Sequence, residues 1–296
     1  MNLGLDLSDG AARVVIVNEH AQVLARAEHP LGSGSVSQAA AAAMRRAVAG
    51  AGDVQLGAVA LTHPGETMPA ELEATFRELL PGTPSPAAVG AGLAAVVAEG
   101  WCGAARGLAN VVALSAGEHV TAGIVLNGKP WHGSHGLAGS VAWLSLNPVE
   151  REDYRRFGGF EADVSASGIV RRTIWRIKAG DSSVVAQQNG GDLSRITIDQ
   201  VLQGARANDG VCLSVIRDTA KYIGMALSNL AATLDPEVIV LGGLIATSGD
   251  MLLEGIRLEC ARRLGPAQAE RLRIVLSPLG RDAAAIGAAR LASEPQ

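Results

Sequence analysis

Two short turns concentrate the residue types that do chemistry. Asp6-Leu7-Ser8-Asp9-Gly10 follows the alternation Leu3, Leu5, Leu7, and Gly117-Glu118-His119-Val120-Thr121 follows a second apolar run. Carboxylates at Asp6, Asp9 and Glu118, joined by the His119 imidazole, are groups that hold a divalent cation or help activate a water. Small-residue turns between strands also present backbone N–H groups to phosphate oxygens. Gly10, Gly117 and Gly242-Gly243 suit that second role. The two roles conflict, because a carboxylate about 4 Å from a phosphate oxygen costs on the order of several kcal/mol at a protein surface. His132 and His135 in a Gly-rich turn are a ligand pair without a third member, and His63 precedes Pro64-Gly65. Lys129 follows Gly128 without a surrounding GxxxxGK[ST] pattern, so a P-loop is rejected.

Composition narrows the classes. With 48% hydrophobic and 18% charged residues the 296-residue chain can bury a full core, which excludes wholesale disorder and a coiled coil. At roughly 100–200 residues per domain, two lobes are expected. The net charge of −4 and dispersed arginines argue against direct nucleic-acid binding. Cys102, Cys212 and Cys260 form no CxxC pair, so neither a disulfide framework nor a thiolate zinc knuckle is available. Free thiols, no signal-peptide pattern and no apolar run of about 20 residues imply a soluble cytoplasmic protein without a membrane span.

Positioning these turns requires alternating strands and helices. Strands are expected at 3–7, 14–17 and 23–27, a helix at 36–49, a strand at 57–61, and helices at 69–80 and 92–103. Later come helices at 169–178 and 198–207, and a long core helix at 212–234 ended by Asp235-Pro236. A buried strand at 238–241, a helix at 249–264, a strand at 272–276 and a helix at 282–292 finish the chain. Leu7-Ser8-Asp9-Gly10 before Val14-Val15-Ile16-Val17 parallels Leu114-Ser115-Ala116-Gly117 before Gly123-Ile124-Val125-Leu126. That internal similarity proposes two lobes of related topology.

These residues resemble the ROK family (repressors, open reading frames, kinases) almost end to end. The strongest segment is Tyr222-Ile223-Gly224-Met225-Ala226 with Asn229-Leu230, then Leu234-Asp235-Pro236-Glu237 through Gly242-Gly243. Gly103 to Gly107, Ala122 to Val125, His132-Gly133 with Gly136 and Gly139, and Gly280-Arg281-Asp282 with Gly287 stand in family order. The resemblance implies an α/β, two-lobed actin-like (ribonuclease H-like) duplicated fold with an interlobe cleft. It places an N-terminal lobe at 1–107, a C-terminal lobe at 108–280, and a C-terminal helix at 281–296 that packs back on the first lobe.

Carried over position by position, the resemblance exposes departures. The first phosphate loop, Asp-x-Gly-Gly-Thr in the family, keeps Asp6 but has Ser8, Asp9 and Gly10 after it. The second, Gly-Thr-Gly-x-Gly, keeps Gly117 but has Glu118, His119 and Thr121. The general base of the family's Asn-Asp-Ala-Asn falls on Ala91, and nothing from Ala87 to Ala98 can accept a proton, where a general base typically contributes about 10²–10⁴-fold. The sugar-contacting and zinc-binding Gly-Glu-x-Gly-His reads Gly139-Ser140-Val141-Ala142-Trp143, and the cysteine knuckle falls in 152–159, which has no Cys. Glu161 matches the family's last sugar-contacting Glu, and Pro64-Gly65 its pocket-side Pro-Gly. The implied sugar side is thus Pro64, Gly65, Gly136, Gly139, Ser140, Trp143 and Glu161. The implied nucleotide loops are Asp6, Ser8, Asp9, Gly10, Gly117, Glu118, His119, Gly242 and Gly243.

The resulting expectation is a pseudokinase without a catalytic residue, without zinc, homodimeric, with a sugar-like ligand or a regulatory role. The chain starts at its first strand, without the winged helix of the family's repressors, so direct DNA binding is disfavoured. One alternative is a divergent ATP-dependent sugar or polyol kinase, the only reading in which ATP and Mg are cofactors. Another is a rebuilt cation-dependent hydrolytic site on Asp6, Asp9, Glu118 and His119.

Overall fold

The computed structural model of the chain describes residues 1–293 apart from 33, 64–67 and 69. It opens with β1 (Asn2–Asp6), β2 (Ala11–Val17), β3 (Val23–Pro30), α1 (Val36–Ala51), β4 (Ala58–Thr62), α2 (Ala70–Leu79), β5 (Ala87–Val89) and α3 (Ala91–Cys102). Then follow β6 (Val111–Ala116), β7 (Val120–Leu126), β8 (Lys129–Pro130), α4 (Glu152–Phe157), α5 (Gly159–Val164), α6 (Ala166–Lys178), α7 (Val184–Gln188) and α8 (Ile198–Arg206). The chain closes with α9 (Gly210–Leu234), β9 (Val238–Gly242), α10 (Gly243–Thr247), α11 (Gly249–Ala261), α12 (Pro266–Arg271), β10 (Arg273–Leu276) and α13 (Ala283–Leu291). Two five-stranded sheets result, ordered β3-β2-β1-β4-β5 and β10-β9-β6-β7-β8.

Two compact units divide the chain. One holds Met1–Leu114, Thr121–Gly139 and Ser277–Gln296, the other Ser115–Val120 and Ser140–Leu276. In the first, β1 pairs antiparallel with β2 and parallel with β4. Leu3, Leu5, Val14 and Ile16 turn to one face, where Met44 of α1 and Phe76 of α2 close the core. Val15 and Val17 turn to the other and meet Ala98 of α3 with Ala285, Ile286 and Ala289 of α13. The alternation at Leu3, Leu5 and Leu7 reads as a half-buried strand, yet β1 is buried on both faces. Gly4 is the reason, since a Cβ there would lie 1.9 Å from the Ala285 carbonyl oxygen. Gly287 allows the same approach on the other side of α13, its absent Cβ falling 1.7 Å from the Ala94 oxygen.

The second unit is mainly helical. α9 runs 25 residues, buries Val215, Ile216, Ile223, Ala226 and Leu227, and stops at Asp235, whose left-handed backbone (φ 45°) precedes Pro236. Asp209 caps it by accepting the N–H groups of Val211 and Cys212. β9 and β10 pair in parallel. Helices α4, α5, α7, α10 and α12 have five or six residues each, too short to show a 3.6-residue period, and the sequence gives no sign of them.

Two expectations follow. Gly287→Ala should cost about 1–3 kcal/mol by overpacking the α3–α13 contact, read as a lower urea midpoint at unchanged slope. Burial pushes the Cys212 thiol, beside Asp209, up to about 12 and the Cys260 thiol up to about 11. Since the thiolate is the nucleophile, neither should be alkylated in the native protein at about pH 8, and both should react once it is unfolded, as peptide mass spectrometry would show.

Candidate functional site

The first turn is built on a buried ion pair. Asp6, at the end of β1, stands opposite Arg13 of β2 in the antiparallel register. Both are 2% exposed. Asp6 Oδ1 accepts hydrogen bonds from the Ser8 N–H (3.0 Å), the Ser8 hydroxyl (2.6 Å) and the Thr62 hydroxyl (2.5 Å). Asp6 Oδ2 lies 3.7 Å from Arg13 Nη1, and the same nitrogen lies 3.8 Å from Asp9 Oδ2. Arg13 Nη2 donates to the Asp9 carbonyl (3.2 Å) and to Glu28 (3.4 Å). Arg281 approaches Asp9 and Glu28 from the chain end at 3.8 and 3.6 Å. Gly10 holds a positive φ of 67°, which lets the chain turn back into β2. Charge in this turn is therefore answered inside the chain. Sequence reasoning missed Arg13, although the signal is one cation inside Ala11-Ala12-Arg13-Val14-Val15.

In the second unit the other turn meets Glu161. The Gly117 N–H donates to the His119 carbonyl (3.0 Å), and the Gly117 carbonyl accepts from Ala166 (2.8 Å). Glu161, buried in α5, accepts the Val120 N–H at 2.8 Å on one oxygen, and its other oxygen lies 3.3 Å from His119 Nδ1. His119 is half-exposed and Glu161 nearly closed off from water. A residue of the expected second phosphate loop is thereby joined to the expected sugar contact, a pairing that a separation of 42 in sequence hides. Gly243 completes the cluster: it has φ +62°, and a Cβ there would fall 2.4 Å from the Ala116 carbonyl oxygen and 2.6 Å from Ser115 Oγ. Gly242 precedes it as the extended residue before α10. Glu118 lies in the same unit, whereas Asp6 and Asp9 belong to the first. Among the described residues no three of His, Cys, Asp and Glu come together in a way that could hold a metal ion.

Ala91 is the first residue of α3, after Gly90. The helix has one acid, Glu99, two turns further on and 1% exposed. Its carboxylate accepts the Ala104 N–H at 2.8 Å and the Ser277 hydroxyl, which commits it to the far end of α3. On the expected sugar side, Pro64 and Gly65 lie outside the described residues. Gly136 and Gly139 both have positive φ, and a Cβ on Gly139 would meet the Ala122 carbonyl oxygen at 2.2 Å. Ser140 starts the short turn that carries Trp143, whose indole is 60% exposed and edges a 280 Å³ hollow with Asn147, Arg151, Tyr154 and Asp163.

Where the resemblance places a cysteine knuckle, the chain has an ionic network. Asp163, 1% exposed, accepts the Tyr154 hydroxyl at 2.6 Å and an Arg151 N–H at 2.8 Å. Asp153 pairs with Arg151 and Arg171, each at 3.1 Å. Burial, with the hydrogen bond to Asp163, pushes the Tyr154 phenol up to about 12.

Removing the guanidinium from the first turn should show how much rests on it. Arg13→Ala is expected to cost about 3–5 kcal/mol in urea unfolding, because it strands a buried carboxylate. Arg281→Ala, on the exposed side of the same network, should cost less than about 1 kcal/mol.

Comparison with known proteins sets these features in a lineage. A glucokinase of Halalkalibacterium halodurans is 32% identical over 204 residues, covering 68% of this chain and 62% of that protein. A xylose repressor of Caldicellulosiruptor bescii is 25% identical over 201 residues, 66% of this chain and 48% of the repressor. The matched part thus spans less than two thirds of these relatives. Among solved structures, a ROK family glucokinase from Streptomyces griseus in complex with glucose and AMPPNP superposes with a TM-score of 0.81 at 22% identity, covering 98% of each chain. A ROK hexokinase from Thermus thermophilus gives 0.74 at 23%, again over 98% of both. These likenesses show the two-lobed actin-like α/β fold that the sequence implies. The ROK family model matches residues 86–295, and the chain belongs to the ROK family.

Proposed function

We propose that this protein is a ROK pseudokinase, a homodimeric cytoplasmic member that has lost sugar phosphorylation and acts through a sugar-like ligand or a partner. The observation that carries the reading is the start of α3. Ala91 offers a methyl group where the resemblance asks for a carboxylate, and the helix's own acid, Glu99, is committed to Ala104 and Ser277. Phosphoryl transfer is mostly positioning and charge stabilisation. Asp6 and Asp9, which would have to share their turn with phosphate, face Arg13. Glu161, which would have to receive sugar hydroxyls, accepts the Val120 N–H and faces His119.

A coupled assay with Mg-ATP and a panel of hexoses, hexosamines and polyols tests this reading. Turnover should not exceed that of an Asp6→Asn control, and a rate well above that control overturns the proposal. The second reading, a divergent sugar or polyol kinase, draws on Gly242-Gly243 standing intact against the Ser115–Ala116 backbone. It predicts a rise in melting temperature with millimolar Mg-ATP, larger when sugar is added. An unchanged melting temperature under both conditions removes it.

A further inference from the structure

Away from the two turns, α11, α12 and β10 surround a hollow of about 180 Å³ in the second unit. Its position follows from how the three elements are held. β10 pairs in parallel with β9, which fixes Ile274 on one wall. α11 packs on α9 at Gly224, where a Cβ would fall 2.9 Å from the Ile256 carbonyl oxygen. α12 starts at Pro266, and the Gln268 side-chain amide donates to the Ala231 carbonyl near the end of α9 at 3.0 Å, which anchors α12 independently of α11. The walls are otherwise apolar: Cys260, Ala261, Leu264, Ala269, Leu272 and Ile274. Two of these are alanines, so space that larger side chains would fill stays open. An apolar cavity of about 150 Å³ holds a benzene molecule, so a hollow of this size accepts a six-membered ring.

One charged group stands on the same wall. Arg257 lines the hollow, and its Nε and Nη2 both donate to the Ile274 carbonyl oxygen, at 3.1 and 2.6 Å, which fixes the guanidinium against β10. Further N–H donors of the guanidinium remain for a second acceptor. Glu259, the acid nearest to it in sequence, pairs with Arg262 and Arg263, and Arg257 has no ion-pair partner among the described residues. The surrounding stretch is cationic: residues 254–273 hold five arginines and three glutamates, with Arg271 and Arg273 exposed on either side of Leu272. A fixed guanidinium beside an apolar hollow calls for a ligand with an apolar body and an anionic head. A carboxylate matches the planar fork with two parallel hydrogen bonds. A phosphate dianion would bring more charge, and more hydration to strip, into an apolar space.

We propose that the α11–α12–β10 hollow binds a small monocarboxylate with a compact apolar body, of the benzoate class, its ring among Leu264, Leu272 and Ile274 and its carboxylate on Arg257. This site shares no residue with the sugar-side or phosphate-loop positions, and its test is independent of the pseudokinase reading. Isothermal titration calorimetry of the full chain at neutral pH uses benzoate, its neutral isostere benzamide, and acetate, which has the head without the body. Benzoate should bind one-to-one with a dissociation constant of about 1 mM or tighter, and benzamide and acetate at least about tenfold more weakly. Arg257→Gln should remove the preference for benzoate over benzamide. Ala261→Phe, at the exposed last position of α11, fills the hollow and should abolish benzoate binding, and it is the deciding variant if circular dichroism finds Arg257→Gln unfolded. No saturable benzoate binding up to about 10 mM overturns the proposal. So does equal affinity for benzamide, a preference that survives Arg257→Gln, or binding unchanged in Ala261→Phe.

Discussion

A carboxylate taken out of water must find its counter-charge or its hydrogen-bond donors nearby, and this rule governs the chain's functional region. Asp6 sits at the end of β1 with Arg13 across the register, and two hydroxyls and a backbone N–H fill one of its oxygens. Glu161 is met by Val120 and His119, Asp163 by Arg151 and Tyr154, Glu99 by Ala104 and Ser277. Each buried acid is answered from within.

The same rule separates what could be read in the sequence from what could not. Long periodic segments were legible: Val215, Ile216, Ile223 and Leu227 announce α9, and Asp235-Pro236 its end. The departures at Ala91, Asp9 and His119 are what the resemblance implies, because each stands where a family motif has fixed spacing. The partners of those residues were not legible. Arg13 is adjacent to Asp6 only through strand pairing, and Glu161 reaches His119 only through the placement of α5. Asp9 reads in sequence as a bare negative charge, whereas Arg13 and Arg281 flank it in space. The short helices α4 and α5 were invisible for a different reason, since one and a half turns carry no period, and only the stacking of Arg151 on Tyr154 and Trp175 shows why that polar stretch is ordered.

Family membership and departures from the family's motifs are compatible because they rest on different residues. The fold is carried by close backbone approaches and apolar faces, which the replacements leave alone: Gly4 under α13, Gly287 of α13 against α3, Gly243 against the Ser115–Ala116 segment. Transfer chemistry rests on a few side chains in loops, where a substitution does little to the core. The zinc-knuckle position shows the same economy. Cysteines are absent from 152–159, and Arg151, Tyr154, Asp153 and Asp163 cross-link the segment.

The return of α13 to β1 has a consequence for how the protein is made. A chain emerges N-terminus first during synthesis, at about 5–20 residues per second. Here the first sheet can close only one of its faces early, with α1 and α2. Its other face, with Val15, Val17 and the bare backbone of Gly4, waits for Ala285, Ile286 and Ala289, which leave the ribosome nearly a whole chain later. Until then α3 is the helix among the described residues that can cover that face. The nascent chain carries a half-dressed sheet through most of its synthesis, a window in which a chaperone or a neighbouring nascent chain can reach apolar surface that the finished protein never shows.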